Sequence, residues 1–265
     1  MKKTLFAVAA AAVLAASPAL AADLARAPMY TKAPPMPQAV PSWTGFYIGA
    51  DVGGLWTHGN AAWTGLPSAA AFGVNPTSGG TDASSVVAGV HAGYNYQFAP
   101  VWVAGLEGDW SWTHARGSNA QPWTVFGTGA VVPGAATSMS STLNWLSSIR
   151  GRLGYLVTPQ LMAYATGGAA WGDVHYGASA TNPVTTYAAT TSLNRTADGF
   201  VVGGGLEWAL NKNWSLRGEY LFYHLYSSEG VVAAGTPVAF AGFPSSFTWS
   251  NTNIGEARGG ISYKF

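Results

Sequence analysis

The sequence contains no cysteine. An exported chain of this kind relies on no disulfide, no thiolate metal site and no lipid attached through cysteine. Charge is scarce as well: 9% of residues are Asp, Glu, Lys or Arg, against about 25% in ordinary soluble domains. The formal net charge is +1 and no basic cluster occurs, which removes nucleic acid as a partner class. After residue 22 no apolar run approaches the ~18 to 20 residues of a membrane-crossing helix. What the chain does have is glycine and large rings, with 34 Gly, 12 Trp and 12 Tyr. Its apolar residues must therefore be spread by alternation, and the membrane structure that alternation builds is a closed β-barrel.

The N-terminus reads MKKTLFAVAAAAVLAASPALAA. Lys2 and Lys3 precede an apolar stretch from Leu5 to Ala16, and Ala19-Leu20-Ala21 supplies small residues for cleavage, so residues 1–21 are expected to be a secretory signal peptide. Residues 22–42 follow as a Pro-rich periplasmic tether, where Pro28, Pro34, Pro35, Pro37 and Pro41 oppose both helix and ladder pairing. Residues 43–265 are then the barrel.

Within them, Gly199 to Tyr226 shows the pattern most plainly. Phe200, Val202, Gly204, Leu206 and Trp208 alternate with Val201, Gly203, Gly205 and Glu207. After Asn211-Lys212-Asn213 the period of two returns, with Trp214, Leu216 and Tyr220 on one face and Ser215, Arg217 and Glu219 on the other. Eight such segments can be read, beginning near residues 43, 84, 101, 143, 160, 199, 214 and 252. Connections of a few residues, among them Ala99-Pro100 and Thr158-Pro159, alternate with stretches of about 20 to 30 residues rich in Gly, Ala, Ser, Thr and Pro. Short periplasmic turns, long extracellular loops and an even strand number are the signature of an eight-stranded antiparallel transmembrane β-barrel. A soluble β-sandwich has no reason to sort its loop lengths this way.

Energetics fix which face meets lipid. With reversed parity, Arg150, Arg152, Arg217 and Arg258 would lie in hydrocarbon at roughly 2 to 4 kcal/mol each near the midplane. The sum is as large as the ~5 to 15 kcal/mol stability of a whole domain. The charged face must point inward, where Asp51, Glu107, Asp109, Glu207, Glu219 and Glu256 can neutralise the arginines, and the interior is expected to be filled by this charged network. Outward aromatic residues, including Trp43, Trp102, Trp110, Trp112, Trp145, Trp171, Trp208, Trp214 and Tyr263, are expected to form girdles at the two interfaces.

The WTGFYIGADVGG stretch at 43–54 and the closing ARGGISYKF, together with the leader and tether, resemble the small outer-membrane β-barrel proteins of alphaproteobacteria, a surface-antigen and porin-like family. The resemblance implies an outer-membrane location and contact with outer-membrane lipids and lipopolysaccharide. It also implies that the terminal strand, ending on Phe265, is read by the barrel-assembly machinery. The expected role is envelope integrity and surface interaction, with an extracellular ligand or host surface met through the loops. The alternative is a small porin-like channel, although eight strands leave an interior about wide enough for side chains alone.

No cofactor, metal site or enzymatic activity is expected. His58, His91, His114, His175 and His224 show no ligand spacing, and a loop-built site near the outer strand ends is the one arrangement left for haem or metal. His224, in YHLYSS, is read as an interfacial histidine rather than the base of a lipid-modifying enzyme. Trp63, Phe72, Trp123, Phe126, Phe240, Phe243 and Phe247 fall in loop stretches, where they serve either recognition or loop-on-loop packing.

Overall fold

The structure is a computed structural model that describes residues 42–64, 73–237 and 244–265. The expected leader, nearly all of the tether, and Phe72, Phe240 and Phe243 lie outside the described residues. Among the described residues twelve strands run in chain order: β1 (Gly45–His58), β2 (Asn60–Trp63), β3 (Thr77–Gly80), β4 (Ala83–Ala99), β5 (Trp102–Thr124), β6 (Val131–Thr158), β7 (Leu161–Asn182), β8 (Tyr187–Ala209), β9 (Trp214–Leu225), β10 (Glu229–Ala233), β11 (Ser245–Trp249) and β12 (Thr252–Lys264).

Eight of these close a barrel in the order β1-β12-β9-β8-β7-β6-β5-β4, antiparallel throughout. First and last strands meet along a seam from Tyr47–Lys264 to His58–Asn253. Closure pairs every strand on both sides, so no open edge faces hydrocarbon. Tight turns at Pro100-Val101, Pro159-Gln160 and Leu210 to Asn213 join β4 to β5, β6 to β7 and β8 to β9. Proline suits such turns because its φ is preset and it has no N–H to leave unpaired. The start of β1 at Gly45 and the end of β12 at Lys264 lie at this short-turn end, the periplasmic one.

Parity agrees with the sequence reading. Phe46, Ile48, Val52, Val86, Leu106, Ile149, Leu153, Leu206 and Leu216 are exposed on the outside, while Asp51, Glu107, Arg150, Arg217 and Arg258 are buried inside. Trp43 is a correction. Expected in the girdle, it is buried at the periplasmic mouth, where its indole donates to the Pro159 carbonyl at 3.2 Å. It precedes the first ladder residue, so strand parity does not govern where it points.

The larger correction concerns the stretches read as long loops. A strand needs about 9 to 11 residues to cross the hydrocarbon, but β5, β6, β7 and β8 have 23, 28, 22 and 23 residues. They rise past the membrane as a four-stranded wall. Only Val125 to Ala130 connects β5 to β6, and Pro183 to Thr186 connects β7 to β8. Bulges at Trp112/Ala115 and Leu143/Trp145 mark where the strands leave the belt. Above the lipid the outer face no longer has to be apolar, so the alternation that identifies a transmembrane strand fades while the ladder continues.

The remaining connections pair across the barrel mouth into a second sheet, β10-β11-β2-β3. Its margins are tied to the wall by the bridges Val74–Val125 and Ala188–Thr236. Trp63 stacks on Trp123 with ring centroids 4.9 Å apart, and Trp249 packs on Tyr176 at 5.0 Å. Phe247 lies opposite Trp63 in register, and both are fully buried. Loop-on-loop packing is therefore what Trp63, Trp123 and Phe247 do, whereas Phe126 is exposed. The outer end is a folded two-sheet head.

Replacing Trp123 by Ala is expected to cost roughly 3 to 5 kcal/mol locally. It should open β2, β3, β10 and β11 to protease while heat-modifiable gel migration of the barrel persists. Unchanged protease resistance would show that the head does not depend on this indole.

Candidate functional site

The inward faces bring together all ten predicted charged residues, drawn from β1, β5, β6, β8, β9 and β12. Glu107 on β5 is the hub. Its carboxylate receives Arg150 Nη2 at 2.6 Å, Arg217 Nη1 at 2.6 Å and Arg152 Nη1 at 3.4 Å. Arg217 reaches across the lumen to hold Asp51 with two hydrogen bonds, Nε to Oδ1 at 2.9 Å and Nη2 to Oδ2 at 2.8 Å. Arg258 is held by Glu219 at 2.6 Å and also approaches Asp109 and Glu256 at 3.4 and 3.3 Å. Arg152 pairs with Glu207 at 2.7 Å, and its guanidinium lies 4.0 Å from the Tyr164 ring centroid. Such bidentate, shared contacts are what make a buried ion tolerable, since an unpaired one would cost several kcal/mol.

Some pairs follow from register and others do not. Glu107 is the ladder partner of Arg150, and Glu219 that of Arg258. Glu207 is the ladder partner of Arg217, yet Arg217 turns to Asp51 and Glu107 and leaves Glu207 to Arg152. Sequence reasoning finds the inward charges but not these crossings, which depend on how far each side chain reaches over the lumen.

It also missed the polar groups that complete the layer. The Tyr47 hydroxyl donates to Glu107 at 2.8 Å, Tyr164 to Glu219 at 3.1 Å and Ser215 to Glu207 at 2.7 Å; Ser148 donates to Asp109. His91 belongs to the same layer. Its Nδ1 lies 2.7 Å from Asp51 Oδ2 and its Nε2 lies 2.9 Å from Ser262 Oγ, which ties β4 across β1 to β12 at the closing seam. The imidazole occupies the space over Gly49, where an added Cβ would stand 2.3 Å from Nε2. Only glycine admits it there.

The network does not fill the lumen, which corrects the expectation of a charged interior throughout. Below it, toward the periplasm, Trp43, Val103, Leu156, Met162, Tyr164 and Ala209 form one apolar cluster. Above it, inward-facing Leu55, Leu146, Val201, Leu221, Leu225 and Ile254 form another that continues without a break into the core of the head. At these positions both strand faces are apolar, as in Val201-Val202 and Leu221-Phe222, so period two carries no contrast.

The remaining histidines lie on the outer surface. His58, His114 and His175 sit on β1, β5 and β7 rather than in loops, and no group of metal-ligating residues is present among the described residues. His224 Nδ1 is 2.7 Å from Asn253 Oδ1, and its ring packs on Phe200 and Tyr226. Phe265 is exposed, with its ring edge-on to Tyr263 and its backbone N–H bonded to the Phe46 carbonyl at 3.0 Å.

A family model described as "Outer membrane protein beta-barrel domain" matches residues 6–265. The 31 kDa outer-membrane immunogenic protein of Brucella melitensis is 32% identical over 240 residues, which cover 88% of this chain and 89% of that protein. The protein of the same description from Brucella suis matches to the same extent. Among solved structures, the outer membrane protease OmpT of Escherichia coli is similar with a TM-score of 0.49 at 8% identity, covering 84% of this chain and 98% of that one. With its closed antiparallel barrel, lipid-facing aromatic belt and paired interior charges, the chain belongs to the outer-membrane β-barrel protein family and is a protein of the outer membrane.

Proposed function

We propose that this protein is a closed barrel without a through-pore, which supports envelope integrity and presents a rigid surface for contact outside the cell. The observation that carries this reading is the stacking of the ionic layer between two apolar clusters. Hydrated ions would have to cross an apolar plug at Leu146, Leu221 and Ile254 as well as the arginine–carboxylate layer. The pocket at the periplasmic mouth reaches Tyr47 and Glu207, and Arg150, Arg217 and Arg258 are not among its lining residues.

A non-catalytic role is supported by the state of the polar groups. Ser262, His91 and Asp51 follow one another at hydrogen-bonding distance, but all three are buried and the Asp51 carboxylate is bound to Arg217. A nucleophile needs room for a reacting atom beside it, and the imidazole is packed against Gly49. The exposed ring of Phe265, carried beside the closing β1–β12 seam, supports its reading as the feature recognised during barrel assembly.

The protein in planar bilayers is expected to give no stable conductance steps. Steps that vanish on Glu107→Ala or Arg217→Ala would establish the porin-like alternative instead. Arg217→Ala should also lower stability by about 3 to 5 kcal/mol, because it strands Asp51 and Glu107. Denaturant unfolding in lipid measures this; a shift within the ~0.5 kcal/mol of an ordinary surface substitution would show that the crossing does not hold the barrel.

A further inference from the structure

The outer face of the β5–β8 wall changes chemistry in an ordered way with height. At the level of the girdle it carries Trp110 and Trp112 on β5, with Trp145 stacked on Trp110 at 4.4 Å. The next ladder row is Arg116–Thr142–His175–Asn194, with His114 and Asn144 beside it at the bulges. His114 Nδ1 lies 3.2 Å from Asn144 Oδ1, and Asn144 donates to Asp173 Oδ2 at 3.1 Å. His175 Nε2 is 3.0 Å from the same oxygen. Asp173 is thus engaged on the β7 side, while Arg116, exposed on β5, makes no ion pair among the described residues. Above come Ser118–Ser140–Gly177–Ser192 and Ala120–Ser138–Ser179–Thr190, two rows of four small or hydroxyl residues each, with no charge.

This face continues upward from the lipid-facing surface with no intervening loop, so its neighbour is whatever stands beside the barrel in the outer leaflet. Strands lie about 4.8 Å apart and same-face residues about 6.7 Å apart along each strand, so the three rows offer a flat patch roughly 15 Å on a side. Aromatic rings suit the boundary of acyl chains, a guanidinium without a counterion suits a phosphate, and uncharged hydroxyl rows suit a polyhydroxylated sugar. We propose that the β5–β8 outer face is a docking site for one lipopolysaccharide molecule of the outer leaflet, with Arg116 and His114 taking a phosphate of its lipid-borne sugar and the Ser/Thr rows taking its saccharide. The site depends only on membrane placement and stands whether or not the lumen conducts.

The test uses purified, folded full-length protein in detergent, with lipopolysaccharide binding measured for three ligands: the intact molecule, the same molecule dephosphorylated, and lipid A lacking the outer saccharide. Intact lipopolysaccharide should bind best. Removing phosphate should weaken binding at least tenfold, as should Arg116→Ser. Ser140→Tyr should weaken the intact ligand while sparing lipid A. His58→Ser, on the far outer face, should leave all three unchanged. Equal binding of intact and dephosphorylated ligand by the unaltered protein would overturn the proposal, as would full binding by a heat-modifiable Arg116→Ser variant, or equal losses in the Arg116→Ser and His58→Ser variants.

Discussion

A guanidinium enclosed by lipid has to find a carboxylate, and most of the molecule follows from how four arginines meet that demand. Arg217 spans from β9 to Asp51 on β1 and Glu107 on β5, so strands that are not neighbours in the sheet are tied through the lumen. Arg150 and Arg152 on β6 do the same toward β9 and β8. The hydrogen bonds of the ladder fix each strand against its neighbours, and strand number and stagger set the diameter, whereas these crossings brace strands that the ladder does not join. Six carboxyl groups face four arginines in this layer, and hydroxyls from Tyr47, Tyr164, Ser148 and Ser215 donate to the oxygens the guanidiniums leave over.

How much of this could be read from residues alone depended on contrast. Where lipid lies outside and charge inside, as along Leu216-Arg217-Gly218-Glu219, alternation identifies the strand, its face and its candidate network residues. The contrast is lost in two places for opposite reasons. At Val201-Val202 and Leu221-Phe222 both faces are apolar, so the plug beneath the head is invisible. Along Arg116 to Pro122 and Ser138 to Leu143 the outer face is small and polar, so a continuing strand looks like a loop. In both stretches the ladder is set by neighbouring strands and not by any preference of its own residues.

The site shows the same division between type and geometry. Which residues are charged and inward is a matter of parity; which ones touch depends on reach and shear. His91 illustrates the limit, because Asp51 lies on the neighbouring strand β1 and Ser262 on β12 beyond it, and only the closing of β1 on β12 brings Ser262 within 3 Å. A histidine in an alternating segment gives no sign of that.

The second sheet has a consequence of another kind. Asn60 to Trp63 and Ser245 to Trp249 are adjacent strands there, though most of the chain separates them. A surface assembled from such distant segments exists only in the folded protein, so an antibody raised against it would recognise a discontinuous epitope that no single-loop peptide reproduces. Sequence drift in β2 is likewise constrained by β11, since Trp63 and Phe247 share one buried contact plane; variation that leaves the fold intact is confined to outward positions of the head.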